Sequence, residues 1–143
     1  MYYILNYTWG LLTTLLGWIA YGFVSVFMSK KILDKGKFGH AHYIMIGKGW
    51  GGFSLGTVFF IASEMGEYWT LHTKQHELGH TYQNAICGIF MPFLITIPSV
   101  IRYWYQTARA YRGKQNKPYE AIWFERLATE IGERVYNGKK PLQ

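Results

Sequence analysis

The sequence is poor in charge, carries a single cysteine and has no charged side chain between Met1 and Ser29. Charged residues make up 16% of the chain, against about 25% in an ordinary globular domain. That deficit is unusual for a small soluble protein and ordinary for one that touches a bilayer. One cysteine, Cys87, excludes an intrachain disulfide and leaves the redox compartment open. Lying within Ala85-Ile86-Cys87-Gly88-Ile89, it reads as a small buried hydrophobe. No basic residue precedes the N-terminal apolar run and no small-x-small site follows it, which argues against a cleaved signal peptide. Internal repeats and low-complexity segments are also missing. At 143 residues the chain is one domain's worth of protein.

What is present is apolar and basic. Half of the residues are hydrophobic and 19% are aromatic, and 15 Lys and Arg face 8 acids for a net charge of +7. Such an excess attracts nucleic acid or anionic lipid, and the long apolar stretches favour lipid. Leu11, Leu12, Leu15, Leu16, Trp18, Ile19, Phe23, Val24 and Val26 dominate the first segment, and Lys30 and Lys31 close it. About 20 apolar residues cross a bilayer as a helix, so residues 1–31 are expected to form a transmembrane anchor. Lys30, Lys31, Lys35 and Lys37 place the bulk of a single-pass chain on the cytoplasmic side, by the positive-inside tendency.

Residues 38–143 are expected to form the remaining α+β domain. His40 to Ile46 and Phe53 to Ile61 are β-rich runs flanking Gly47-Lys48-Gly49-Trp50-Gly51-Gly52, which predicts a hairpin or small meander. The glycines match G-x-G-x-x-G, but a strand follows them where a dinucleotide site needs a helix. They are turn glycines instead. A helical pattern covers about residues 71–85. Residues 86–101 are apolar but interrupted by Pro92 and Pro98, which predicts a re-entrant, interfacial or buried irregular segment associated with the membrane. Arg102, Arg109, Arg112, Lys114 and Lys117, interleaved with Trp104 and three tyrosines, suit a membrane–water interface. Single-stranded nucleic acid prefers stacking platforms on an open groove, so no nucleic-acid partner is expected. Pro118 opens a last helix that Asn137-Gly138 closes after Tyr136.

The chemistry resides in His76-Glu77-Leu78-Gly79-His80. Positions four apart share one face of a helix, so His76 and His80 can present two imidazoles to one ion. Glu77 stands beside them as the catalytic base, able to take a proton from the attacking water. Zinc suits this arrangement because three protein ligands leave a fourth position open. His40 and His42, two apart on a strand, read as an ordinary solvated pair, and His72 as either a neighbour of the site or exposed. Tyr103, Tyr105, Tyr119 and Arg102 are all candidate transition-state donors.

Phe53 to Phe60, followed by Gln75-His76-Glu77-Leu78-Gly79-His80-Thr81-Tyr82-Gln83, resembles the minimal gluzincins. In those small zincin-like domains a strand precedes an HExxH-x-x-Q helix. Trp123-Phe124-Glu125-Arg126-Leu127-Ala128 is similar to their downstream W-T-E-x-x-A-D segment, with Thr129 at the place of the aspartate. The resemblance covers roughly residues 53–130 and implies zinc-dependent hydrolysis of a peptide or protein substrate. It also implies a glutamate ligand from the last helix. Phe124, Ala128, Ile131 and Val135 mark that helix's buried stripe, from which Glu130 and Glu133 point away. Glu120 and Glu125 both lie at its edges, and periodicity does not separate them. The family pattern, together with the small neighbours Ala121, Ala128 and Gly132, selects Glu125. The competing expectation is a non-catalytic membrane or assembly subunit in which the metal only pins helices together.

Overall fold

The computed structural model describes residues 1–63, 66–116, 118 and 121–142. Its helices are α1 (Tyr2–Tyr7), α2 (Leu11–Phe27), α3 (Glu67–Cys87), α4 (Ile97–Tyr111) and α5 (Trp123–Tyr136). Its strands are β1 (Ile32–Phe38), β2 (Ala41–Lys48), β3 (Gly52–Leu55) and β4 (Val58–Ser63), arranged in one sheet in the order β1-β2-β4-β3. The architecture is α+β, as expected.

The sheet is mixed. β1 pairs antiparallel with β2 and β3 antiparallel with β4, while β2 and β4 run parallel. This corrects the hairpin or small meander expected from the two β-rich runs. The second run is itself a hairpin, folded at Gly56-Thr57, so the chain leaves β2, forms the edge with β3 and returns to the centre as β4. Gly56 has φ +61, and a Cβ there would sit 2.3 Å from the Thr14 Cα, so no other residue fits. β1, also not foreseen, uses the basic stretch that was read as a flank of the anchor. Being an edge strand, it tolerates Asp34, Lys35 and Lys37.

Central strand β4 is buried at every residue from Val58 to Ala62, because both sheet faces are covered. Phe59 and Ile61 pack with Tyr43, Leu78, Tyr82 and Ile131 on the side of α3 and α5. Val58 and Phe60 pack with Ile44 and with Trp18, Ala20, Tyr21 and Val24 of α2 on the other. A slip of one residue would exchange the two sets of side chains.

The N-terminal segment departs from the expected single anchor. No single helix among the described residues is long and apolar enough to cross a membrane. The chain breaks after Tyr7, where Gly10 passes so close to α3 that a Cβ would lie 2.5 Å from Asn84 Nδ2. α2 has 17 residues, about 26 Å at the helical rise, short of a core about 30 Å thick. Both helices are fastened to α3 by buried polar groups. Tyr2 donates to Thr81 Oγ1 (2.9 Å), Asn84 Nδ2 to Asn6 Oδ1 (2.6 Å) and Thr14 Oγ1 to the Asn6 carbonyl (2.9 Å). Thr13 Oγ1 donates to Asn84 Oδ1. Buried polar groups need such partners, so the network fixes how this segment seats.

After α3, residues 88–96 form a 3-10 turn and a π-helical turn before α4 begins. Pro92 and Pro98 fall at the starts of helical pieces, where a missing N–H leaves no bond broken. The expected irregular apolar segment is thus helical but bent.

A candidate metal centre

α3 and α5 pack unusually closely, and glycine is the reason. A Cβ on Gly79 would lie 1.8 Å from the Ala128 carbonyl oxygen, and one on Gly132 would lie 1.7 Å from that of Gln75. Any side chain at either position forces the helices apart. Gly132→Ala is therefore expected to destabilise the fold by about 1–3 kcal/mol, the usual cost of overpacking, and to weaken metal binding without altering a ligand. Thermal melts and a metal titration on the same sample check both effects.

That approach brings Glu125 of α5 to the histidines of α3. His76 Nε2 and His80 Nε2 are 3.1 Å apart, and Glu125 Oε2 is 3.2 Å from the first and 3.1 Å from the second. Glu125 is fully buried, and its other oxygen accepts a hydrogen bond from Ser99 Oγ. Glu120, the alternative ligand, lies outside the described residues.

Hydrogen bonds behind the imidazoles set which nitrogen faces inward. Gln83 donates its amide to the Phe124 carbonyl (2.7 Å), leaving Oε1 to accept from His80 Nδ1 (2.7 Å). Thr129 Oγ1 donates to the Glu125 carbonyl (3.4 Å) and so accepts from His76 Nδ1 (2.9 Å). Both Nδ1 atoms then carry the proton and both Nε2 lone pairs point at the same spot as Glu125 Oε2. Three lone pairs converging at that distance repel one another unless a cation lies among them, either a proton on an imidazole Nε2 bonded to Glu125 or a metal ion in its place. Ligands at about 2.0–2.1 Å around a tetrahedral zinc stand about 3.3 Å from one another, close to the observed separations. His76, His80 and Glu125 could therefore hold a metal ion.

Thr129 stands behind His76. It orients His76 as a neutral acceptor in place of a carboxylate. Such orienting partners typically carry 10–100-fold in metal affinity, so Thr129→Val and Gln83→Leu are each expected to weaken binding by about that factor. A competition titration with a chromogenic chelator measures it.

Glu77 lies against the strand side of the site. It is 4% exposed, and its Oε2 has no hydrogen-bond partner among the described residues. Burial pushes its carboxyl up to about 7 from the ordinary 4.5, against the pull of His80. Gly52 of β3 makes room for it, since a Cβ there would lie 2.8 Å from Oε1. Burial lowers the His76 pKa. It acts the same way on His80, but the bond to Glu125 and the nearby Glu77 outweigh it, and the His80 pKa rises. Burial raises the pKa of Glu125, and its bonds to His76, His80 and Ser99 overcome this and hold it well below the carboxylate range. The centre thus keeps one carboxylate ionised and the other poised near neutrality, a separation typical of acid–base sites.

His76, Glu77 and His80 line a cleft of ≈ 1090 Å³ between β3 and α4. Of the proposed donors, Tyr103 lines it; Arg102 instead donates to the Pro118 carbonyl, and Tyr119 lies outside the described residues. His72 also reaches the cleft. The other two histidines do not share one face of a strand. His40 sits in the turn before β2 and bonds Tyr82 (2.6 Å), whereas His42 packs against Trp18 on the α2 side. Ser99 escaped notice in the sequence, where it is one polar residue in an apolar run. A comparison with known proteins finds no family model, no curated protein and no solved structure that matches this chain.

Proposed function

We propose that the chain is a zinc-dependent peptidase in which His76, His80 and Glu125 hold the metal and Glu77 is the catalytic base. The observation that carries this reading is the unpartnered, buried Oε2 of Glu77 beside a group of three ligands. A metal that only pinned helices together would have no use for a second buried carboxylate, which is costly to keep there. A zinc ion in this position supplies Lewis acidity and brings the pKa of a water close to 7. Glu77 accepts the proton of the attacking water and returns it to the leaving amine. With its carboxyl held near neutrality, it can do both.

A peptide is favoured over other substrates by β3. This edge strand borders the cleft beside Glu77, and an extended chain can add to such an edge through main-chain hydrogen bonds. Tyr103, on the opposite wall, is the candidate to donate to the carbonyl oxygen as charge develops there.

The test is zinc reconstitution of chelator-treated protein, followed by a digest of a mixed peptide library. One ion per chain and zinc-dependent cleavage are expected. Stoichiometric zinc with no cleavage of any library member would leave a structural metal site and overturn the reading.

A further inference from the structure

α2 is apolar on its outer side as well as toward the sheet, where Trp18, Tyr21 and Val24 pack. Its buried side carries Thr13, Thr14 and Gly17, while Leu12, Ile19, Phe23 and Phe27 point away from the protein. Ile19 is 67% exposed and Phe27 73%. These positions recur at helical spacing and make one continuous stripe. The bent segment after α3 is apolar on both sides as well, with Phe90, Phe93, Leu94 and Ile97 exposed around buried Met91 and Ile95. Trp9 joins the two surfaces. Its ring packs edge-on against Phe90 at 5.8 Å, and its Nε1 donates to the Ile86 carbonyl (3.2 Å). The result is one apolar surface, far larger than scattered exposed side chains would give.

We propose that this surface is a collar that seats the protein in a single leaflet of an anionic bilayer. Three observations point to lipid. First, apart from the turn that carries Trp9, the collar is helical, so its backbone groups are largely satisfied internally, as hydrocarbon requires. Second, its rim is basic without exception. Residues 1–33 and 78–119 contain no Asp or Glu, yet carry Lys30, Lys31, Arg102, Arg109, Arg112 and Lys114. A second copy of this surface would bring like charges together, whereas anionic head groups complement them. Third, Trp9, Trp104 and Tyr105 stand exposed, and such aromatic side chains are enriched at the head-group level.

The geometry favours one leaflet over a span. α2 is held along its length to the sheet, with Gly17 against the Leu55 carbonyl and Thr14 against Gly56. It cannot cross a bilayer without taking β3 and β4 with it. The path from α3 into α4 turns through 115°, which suits an interfacial wedge. Tyr103 and Trp104 belong both to this surface and to the cleft wall, so the cleft opens at the head-group level.

Flotation of the full chain with vesicles tests this independently of any peptidase activity. The wild type is expected to rise with phosphatidylcholine vesicles that contain phosphatidylglycerol and to bind plain phosphatidylcholine less well. Lys30→Gln and Lys31→Gln should each weaken binding to the anionic vesicles about 5-fold. Phe23→Glu combined with Phe93→Glu should abolish flotation, while zinc stoichiometry and circular dichroism show that the fold survives. A wild type that stays below both vesicle types overturns the proposal. So does a detergent-free dimer that Phe93→Glu splits, since the surface would then be covered by a second copy.

Discussion

Glu77→Gln is expected to bind one zinc ion per chain as the wild type does and to cleave peptides about 10²–10⁴-fold more slowly, the usual contribution of a positioned general base. The amide keeps the size of the side chain and the packing against Gly52, where a Cβ would lie 2.8 Å from Oε1. It loses the ability to accept a proton. The same variant has a second signature in metal-free protein. The Glu77 carboxyl is raised to about 7 by burial, so the folded state holds its proton more tightly than the unfolded chain does. Below pH 4.5 both states are protonated and the residue costs nothing. Between pH 4.5 and 7 the unfolded chain ionises first, and above pH 7 the full penalty applies. With 1.36 kcal/mol per pH unit, that penalty is about 3 kcal/mol. Glu77→Gln should therefore stabilise metal-free protein at pH 8 and leave it unchanged at pH 4. Slow cleavage together with alkaline stabilisation identifies Glu77 as a buried base. Wild-type cleavage by the variant would remove it from the mechanism.

The short-range parts of this molecule were legible in its sequence and the long-range parts only partly so. His76 and His80 are one helical turn apart, and local periodicity is enough to put them on one face. The closure of α5 after Tyr136 follows equally from Asn137-Gly138, with Gly138 at φ +72. The parallel pairing of β2 with β4 was not legible, because it depends on where the chain re-enters the sheet and not on the alternation within either strand. The N-terminal segment misled for a different reason. Hydropathy counts Leu, Ile and Phe but is blind to which face they occupy. The decisive residues are the few polar ones, above all Asn6 and Thr13, whose partners Thr81 and Asn84 lie some 70 to 80 positions away. Thr129 shows the limit of pattern matching. It stands where the resembling pattern has an aspartate, sits 2.9 Å from His76 Nδ1 and supplies an uncharged acceptor there.

Glu125→Gln is expected to reduce zinc affinity by more than about 100-fold, because loss of a ligand should exceed the 10–100-fold typical of the groups that merely orient ligands. The argument begins from the packing. Gly79 and Gly132 let α5 approach α3 so closely that Glu125, fully buried, brings Oε2 within 3.2 Å of both imidazoles. Its other oxygen is held by Ser99, so the carboxylate has one oxygen left for a metal. Glutamine has the same shape but offers a neutral oxygen, and its amide would place a donor against either Ser99 or the ligand point. The ionised carboxylate also supplies the negative charge that offsets part of the ion's charge in a buried site. Ser99→Ala separates positioning from ligation. It should weaken zinc binding by the smaller, orienting factor. If Glu125→Gln binds zinc as tightly as Ser99→Ala does, Glu125 is not a ligand, and the third position must be filled from elsewhere in the chain.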